Sequence, residues 1–282
     1  MRILVTGAAG MLGLDLSAAA AEAGHDVRAL PRAELDIADP QAVEAAVASV
    51  NPDVIVNCAA WTDVDGAEAA YEDALLVNGA GAGSVARAAA GCGAWVVHVS
   101  SDYVFDGLKT SPYLESDLVG PVSAYGRSKL AGEEAVAAAA PQTHTIVRSS
   151  WLFGAGGPCF PKTIMRLAAE REVLRVVDDQ LGCPTFTGHL AGALLSLGEH
   201  RVPGVVHVAG GGQCSWFQFA RTIVEAAEID CSVEPCTTAD FPRPAPRPAY
   251  SVLRTERGTE VPLLPDWQDG LAAFMSALVG TS

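Results

Sequence analysis

Five residues into the chain an apolar run meets a glycine turn, and this junction restricts the fold more than any other feature. Arg2-Ile3-Leu4-Val5-Thr6 reads as a buried parallel strand. Gly7-Ala8-Ala9-Gly10-Met11-Leu12-Gly13 follows at once and opens a helix that Gly24 ends. Gly7 permits a tight turn, Gly10 lets backbone approach a pyrophosphate, and Gly13 allows close packing of helix on sheet. The helix N-terminus then favours the phosphate charge.

The rest of the chain repeats this alternation. Strands are predicted over 25–30, 53–57, 95–100 and 143–148, with helices near 40–50, 66–92 and from Ala124. Strands alternating with helices imply right-handed crossovers and an α/β fold, a doubly wound parallel sheet of the Rossmann type. We expect a dinucleotide-binding part over residues 1–150. A smaller α/β substrate-binding part over 151–282 interleaves with it, leaving a cleft between the two. Phe241-Pro242-Arg243-Pro244-Ala245-Pro246-Arg247-Pro248 cannot be helix or central strand and is read as an extended loop carrying two arginines.

At 282 residues with half of them hydrophobic, the chain can bury a substantial core. Its net charge of −15 argues against nucleic acid and anionic membranes as partners. No apolar run is long enough to span a membrane, and the N-terminus lacks the features of a signal peptide. Seven cysteines without a Cys-x-x-Cys pair suggest reduced thiols in a cytoplasm and disfavour a metal site.

Chemistry enters at Tyr125-Gly126-Arg127-Ser128-Lys129, with Ser101 at a strand end. Tyr125 and Lys129 lie four apart on a helix and share a face. An ammonium beside the phenol would favour phenolate and ease proton transfer to a substrate oxygen. A serine hydroxyl can hold that oxygen, so the three residues suit reduction of a carbonyl. The second strand ends Ala29-Leu30-Pro31-Arg32 with no carboxylate before Glu34. Arg32 there suits a ribose 2′-phosphate, which favours NADPH, with NADH the alternative.

Together the glycine spacing, Ser101 and Tyr125/Lys129 resemble an extended short-chain dehydrogenase/reductase. Further segments resemble the dTDP-4-dehydrorhamnose reductase family: Ser100-Ser101-Asp102-Tyr103-Val104-Phe105-Asp106-Gly107, Arg148-Ser149-Ser150-Trp151-Leu152-Phe153-Gly154, Asp178-Asp179-Gln180-Leu181-Gly182-Cys183-Pro184-Thr185 and Arg247-Pro248-Ala249-Tyr250-Ser251-Val252-Leu253. The resemblance implies NAD(P)H-dependent reduction of the C4 keto group of dTDP-4-dehydro-L-rhamnose. Ser101, Tyr125 and Lys129 would be catalytic, and Lys129 would also hold the nicotinamide ribose. Gly7, Gly10, Met11, Leu12 and Gly13 would bind cofactor with Arg32. Asp36 and Ile37 would border the adenine; Asn57, Ala59 and Ala60 would line the nicotinamide side, with Asn78 in support. Asp102, Tyr103 and Trp151 would face the sugar, and Arg247 the diphosphate.

The chain departs from the family's pattern at two places. Cys159 stands where many relatives carry asparagine, which puts a phosphate or sugar contact there in doubt. Asp15 and Phe186-Thr187-Gly188-His189 lack the glutamates that hold magnesium between subunits in some relatives, so no metal is expected. The partner is thus a small nucleotide sugar, with the protein a monomer or homodimer. The alternatives are another deoxysugar ketoreductase or epimerase and a non-enzymatic regulatory subunit on the same fold. Dehydration is disfavoured because Asp102 is followed by Tyr103 rather than glutamate.

Overall fold

The run Arg2–Thr6 forms strand β1, its last four residues buried, and the glycine turn leads from it into helix α1 (Met11–Glu22). The computed structural model describes residues 1–280. Strand β2 (Asp26–Leu30), helix α2 (Pro40–Val50) and strand β3 (Val54–Asn57) follow. Asp39 starts α2 by accepting the amides of Gln41 and Ala42, and Asn51 ends it in the left-handed region at φ 47°. Next come α3 (Gly66–Ala69), α4 (Tyr71–Leu75), α5 (Ala82–Cys92), β4 (Trp95–Ser101), α6 (Ala124–Ala139) and β5 (His144–Ser149).

The second half contributes β6 (Leu152–Phe153), α7 (Phe160–Glu170), β7 (Val173–Val177), β8 (Leu181–Gly182), β9 (Thr185–Phe186) and α8 (Thr187–His200). It ends with β10 (Gly204–His207), β11 (Cys214–Ser215), α9 (Trp216–Ala226), β12 (Ser232–Cys236) and α10 (Trp267–Gly280).

Six strands form one parallel sheet in the order β10-β5-β4-β3-β1-β2. This is the predicted doubly wound sheet. The chain leaves β1 toward β2 on one side and returns to β3 on the other, so the crevice between the β1 and β3 ends is the switch point. One apolar layer joins the sheet to α1 and α8 through Leu12, Leu16, Leu190 and Leu194. The opposite layer joins it to α2, α5 and α6 through Val43, Val85 and Val136. A separate core around Phe153, Phe219 and Phe274 holds α7, α9 and α10 together. Residues of the second half re-enter the first: α8 packs on α1, and β10 pairs with β5.

The predicted helix near 66–92 is interrupted. Leu76–Gly81 is a π-helical turn between α4 and α5. It sits where α6 comes closest: a Cβ on Gly132 would lie 2.2 Å from the Asn78 carbonyl oxygen. The side chain of Asn78 leaves the turn to bond Trp61 and Ser128. Tight helix contact and a buried amide thus shape this stretch, and neither leaves a local pattern in the sequence.

The C-terminal segment laces the site loops together. Leu181 donates its amide to Ala249, Ser251 to Leu181, Tyr113 to Val252 and Arg254 to Tyr113. Val104, Phe105, Tyr113, Cys183, Tyr250 and Leu253 pack into one cluster beneath these bonds.

Gly7 has φ +65°, and a Cβ there would lie 2.6 Å from the Ala59 amide nitrogen. Gly7→Ala should therefore destabilise the chain by about 1–3 kcal/mol from backbone strain alone. Urea denaturation would show this as a lower midpoint. An unchanged midpoint would mean that the two loops at the switch point separate freely.

Candidate active site

The cradle at the switch point is made of backbone. Gly10 caps α1 without a side chain, and a Cβ there would approach only the Gly7 carbonyl, at 3.3 Å. A Cβ on Gly13 would meet that same oxygen at 2.5 Å, which is why α1 can start so close to β1. Of the residues expected to bind cofactor, Leu12 and Ile37 turn their side chains inward. Both side chains are buried in the core, so only their backbone can meet a ligand.

Asn57 is buried in the same way. It is 1% exposed and accepts the Thr6 hydroxyl at 2.6 Å. Its amide nitrogen donates to Nδ1 of His98 at 3.1 Å. Thr6, Asn57 and His98 lie side by side on β1, β3 and β4. This ladder fixes the strand ends rather than presenting an amide to the crevice. Burial holds His98 well below the usual imidazole range, so it is neutral. Ala59 and Ala60 are partly exposed, and Arg32 is exposed and 3.5 Å from Asp36.

Ser101 ends β4, and Tyr125 and Lys129 lie one turn apart near the start of α6. Ser123 caps that helix by accepting the Gly126 amide at 3.1 Å. The structure brings the three together. The Tyr125 phenol lies against Ser101, and its ring meets Tyr103 edge-on with centroids 5.6 Å apart. Lys129 is 2% exposed and donates to the Val99 carbonyl at 2.7 Å. Burial pulls its ammonium down to about 8, against the pull of Glu133.

The expected acidification of the phenol by Lys129 is corrected. Burial pushes Tyr125 up to about 12; Ser101 opposes the rise, and Asp102 adds to it. The phenol is therefore a loaded proton donor at neutral pH, and what lowers the barrier to transfer is the charge developing on the acceptor.

Tyr103 lines a cleft of about 920 Å³ beside this trio, together with Phe160, Gln180, Trp216, Arg175 and Arg243. Arg247 also lines it, but its guanidinium is held in a fork by Asp65, Nη1 to Oδ1 at 2.8 Å and Nη2 to Oδ2 at 2.9 Å. That contact keeps the Asp65 carboxyl below its usual range. Trp151 adopts φ 48° and stacks on Trp216 with centroids 3.5 Å apart. Gln180 accepts the Trp216 indole N–H at 3.2 Å. Trp216, Arg171 and Arg175 belong to the cleft lining, yet the sequence reading singled out none of them.

Asp102 does not open to the cleft as expected. It is 2% exposed, and its Oδ1 accepts the Ser101 hydroxyl at 3.0 Å. Burial raises its carboxyl to about 7, against the hydroxyls of Ser251 and Ser101. Cys159 is buried, its thiol turned to the Gly154 carbonyl at 3.6 Å. Asp15 accepts the Thr187 hydroxyl at 2.5 Å and so ties α1 to α8. Thr185 likewise has a positional role, bonding the Gly210 amide and the Cys183 carbonyl.

A family model described as the RmlD substrate binding domain matches residues 1–279. The dTDP-4-dehydrorhamnose reductase of Mycolicibacterium smegmatis is 45% identical, over 100% of this chain and 87% of that protein. The dTDP-4-keto-6-deoxy-D-glucose reductase of Streptomyces niveus is 43% identical, over 94% and 92%. Among solved structures, dTDP-4-dehydrorhamnose reductase from Bacillus anthracis in complex with NADP superposes with a TM-score of 0.95. It is 37% identical and covers 98% of this chain and 99% of that one.

Proposed function

The chain belongs to the dTDP-4-dehydrorhamnose reductase family, and from that premise we propose that it reduces the C4 keto group of dTDP-4-dehydro-L-rhamnose to dTDP-L-rhamnose with NADPH. The observation that carries this reading is the trio itself. A strand-end hydroxyl and a protonated phenol meet at the end of β4, two strands from the glycine cradle after β1, and against Tyr103 of the cleft.

The cradle fits a dinucleotide. The outer side of Gly10 is open, the first amides of α1 have no side-chain cap, and Arg32 stands exposed at the end of β2. When bound, NADPH supplies the hydride. The chain does the rest. Tyr125 gives its proton to the C4 oxygen as negative charge grows there, and Ser101 steadies that oxygen. Lys129, anchored on Val99, would hold the nicotinamide ribose. Tyr103 and Trp216 offer the sugar ring and base apolar faces, and the arginines of the cleft offset the diphosphate charge.

Purified protein with dTDP-4-dehydro-L-rhamnose should oxidise NADPH in preference to NADH. Arg32→Ala should raise KM for NADPH about tenfold, the size of one lost charged contact, and leave NADH unchanged. Equal effects on both cofactors would remove Arg32 from the 2′-phosphate site. A second reading, reduction of another dTDP-4-keto-6-deoxysugar, is favoured by the 43% identity to the Streptomyces niveus enzyme. The stereochemistry of the product separates the two.

We place the protein in the cytoplasm, as a monomer or homodimer acting on a small molecule. Its seven cysteines are unpaired, and no described helix is long and apolar enough to cross a membrane.

A further inference from the structure

A hydroxyl has one hydrogen to donate. The Ser101 oxygen lies 3.0 Å from Oδ1 of Asp102, so an ionised Asp102 draws the Ser101 hydrogen to itself, while the Ser101 oxygen accepts the Tyr103 amide at 3.2 Å. Ser101 in this arrangement has no hydrogen left for the oxygen of a substrate carbonyl. An ionised Asp102 would also oppose the negative charge that grows on that oxygen, one hydroxyl away. The second carboxyl oxygen of Asp102, Oδ2, is buried without a hydrogen-bond partner, an unfavourable state for a carboxylate.

Adding a proton to Asp102 reverses both effects. A neutral carboxyl can donate to the Ser101 oxygen, which frees the Ser101 hydrogen to turn toward the substrate. We propose that Asp102 is a positioning residue that works in its neutral form, donating to Ser101 so that Ser101 donates to the substrate oxygen, and that its ionised form captures Ser101 and switches reduction off. This rests on the carbonyl-reductase reading above. The proton delivered to product remains that of Tyr125, so Asp102 is neither consumed nor regenerated.

Burial of Asp102 outweighs the hydrogen bonds that favour its carboxylate, from the Ser251 and Ser101 hydroxyls and from the backbone of Asp102 and Tyr103. The titratable groups facing it are Tyr103 on its own turn, Tyr125 on α6 and Cys183 after β8, each pushed up in part by the Asp102 charge. Burial raises all three as well, so they are neutral near pH 7. Arg247 lies beyond Tyr103 and is occupied by Asp65, and Arg254 lies beyond Cys183. Ser251, from the C-terminal segment, supplies the other hydroxyl beside Asp102.

The test is the pH profile of kcat at saturating NADPH and keto sugar. Wild-type kcat should fall as pH rises through the Asp102 titration near 7, because the active form is the protonated one. Asp102→Asn keeps a donor for Ser101 at every pH and removes this limb. Between about pH 6 and about pH 8.5 the ratio of variant to wild-type kcat should rise at least about tenfold. Lys129 titrates nearby, but its limb would be common to both proteins and cancels in the ratio. Ser251→Ala removes a hydroxyl that favours the carboxylate and should move the wild-type limb to higher pH. A residue that only supported the fold would alter stability without altering this ratio. A constant ratio, or a wild-type profile flat to about pH 8.5, overturns the proposal. Absence of turnover in wild type at every pH overturns the reductase reading and this proposal with it.

Discussion

Tyr125→Phe is expected to lower kcat by about 10²–10⁴-fold while leaving both KM values little changed. The substitution removes one oxygen and keeps the ring. Its edge-on contact with Tyr103, at 5.6 Å between centroids, does not need the hydroxyl, so the site should keep its shape. Ser101 retains its bonds to Asp102 and to the Tyr103 amide. What disappears is the phenol proposed to give the C4 oxygen a proton as it gains charge. An interaction made mainly in the transition state appears in kcat. Near-normal turnover in the variant would show that another group or a water supplies the proton.

The second large effect concerns stability. Arg148 on β5 holds Glu133 on α6 in a two-point ion pair, Nε to Oε1 at 2.9 Å and Nη2 to Oε2 at 2.7 Å. Both residues are about 5% exposed or less. Ser100 adds a hydrogen bond to Oε1 at 2.6 Å, and the guanidinium lies over the Phe105 ring at 5.1 Å. Arg148→Ala would leave Glu133 in the interior without its two-point partner, with Ser100 its remaining hydrogen bond. The expected loss is about 3–5 kcal/mol, read as a large drop in the urea midpoint. Replacing both residues by apolar ones of similar volume should recover most of that loss, because the desolvation penalty of two charges goes with them. If Arg148→Ala alone is nearly neutral, water or a neighbour reaches Glu133 and the pair is not a fixed strut. The pair fastens α6 to the sheet one turn beyond Lys129, so the single variant should also blur the placement of Tyr125.

The frame was legible because buried parallel strands are written as unbroken apolar runs. Val54–Asn57 and His144–Ser149 are buried throughout and were found to within a residue. The glycine turn was legible for a related reason: close backbone approach at Gly7 and Gly13 excludes every other side chain. Side-chain direction was not legible. Leu12, Ile37 and Asn57 lie in segments that reach the crevice, yet their side chains point into the core or along the sheet. Pairings between remote positions were equally hidden. Arg247 meets Asp65 across 182 residues, and Trp216, which no motif marks, forms the platform on which Trp151 stacks. The phenol's environment also escaped the sequence. Spacing on a helix fixes which face Lys129 shares, while burial, a property of the whole fold, decides how tightly Tyr125 keeps its proton.

The lacing of the C-terminal segment has a consequence for how the protein matures. Tyr113 finds its bridge partner only at Leu253, more than 130 positions later, and Leu181, which also pairs with Ser215, meets Tyr250 more than 60 positions later. During synthesis β1 to β4 and helix α6 can form from early contacts, but the cluster of Val104, Phe105, Tyr113 and Cys183 closes over Tyr250 and Leu253 only once about nine tenths of the chain has been made. Such distant closure is slow relative to local folding. The loops beside the trio are therefore expected to close later than the sheet that carries it.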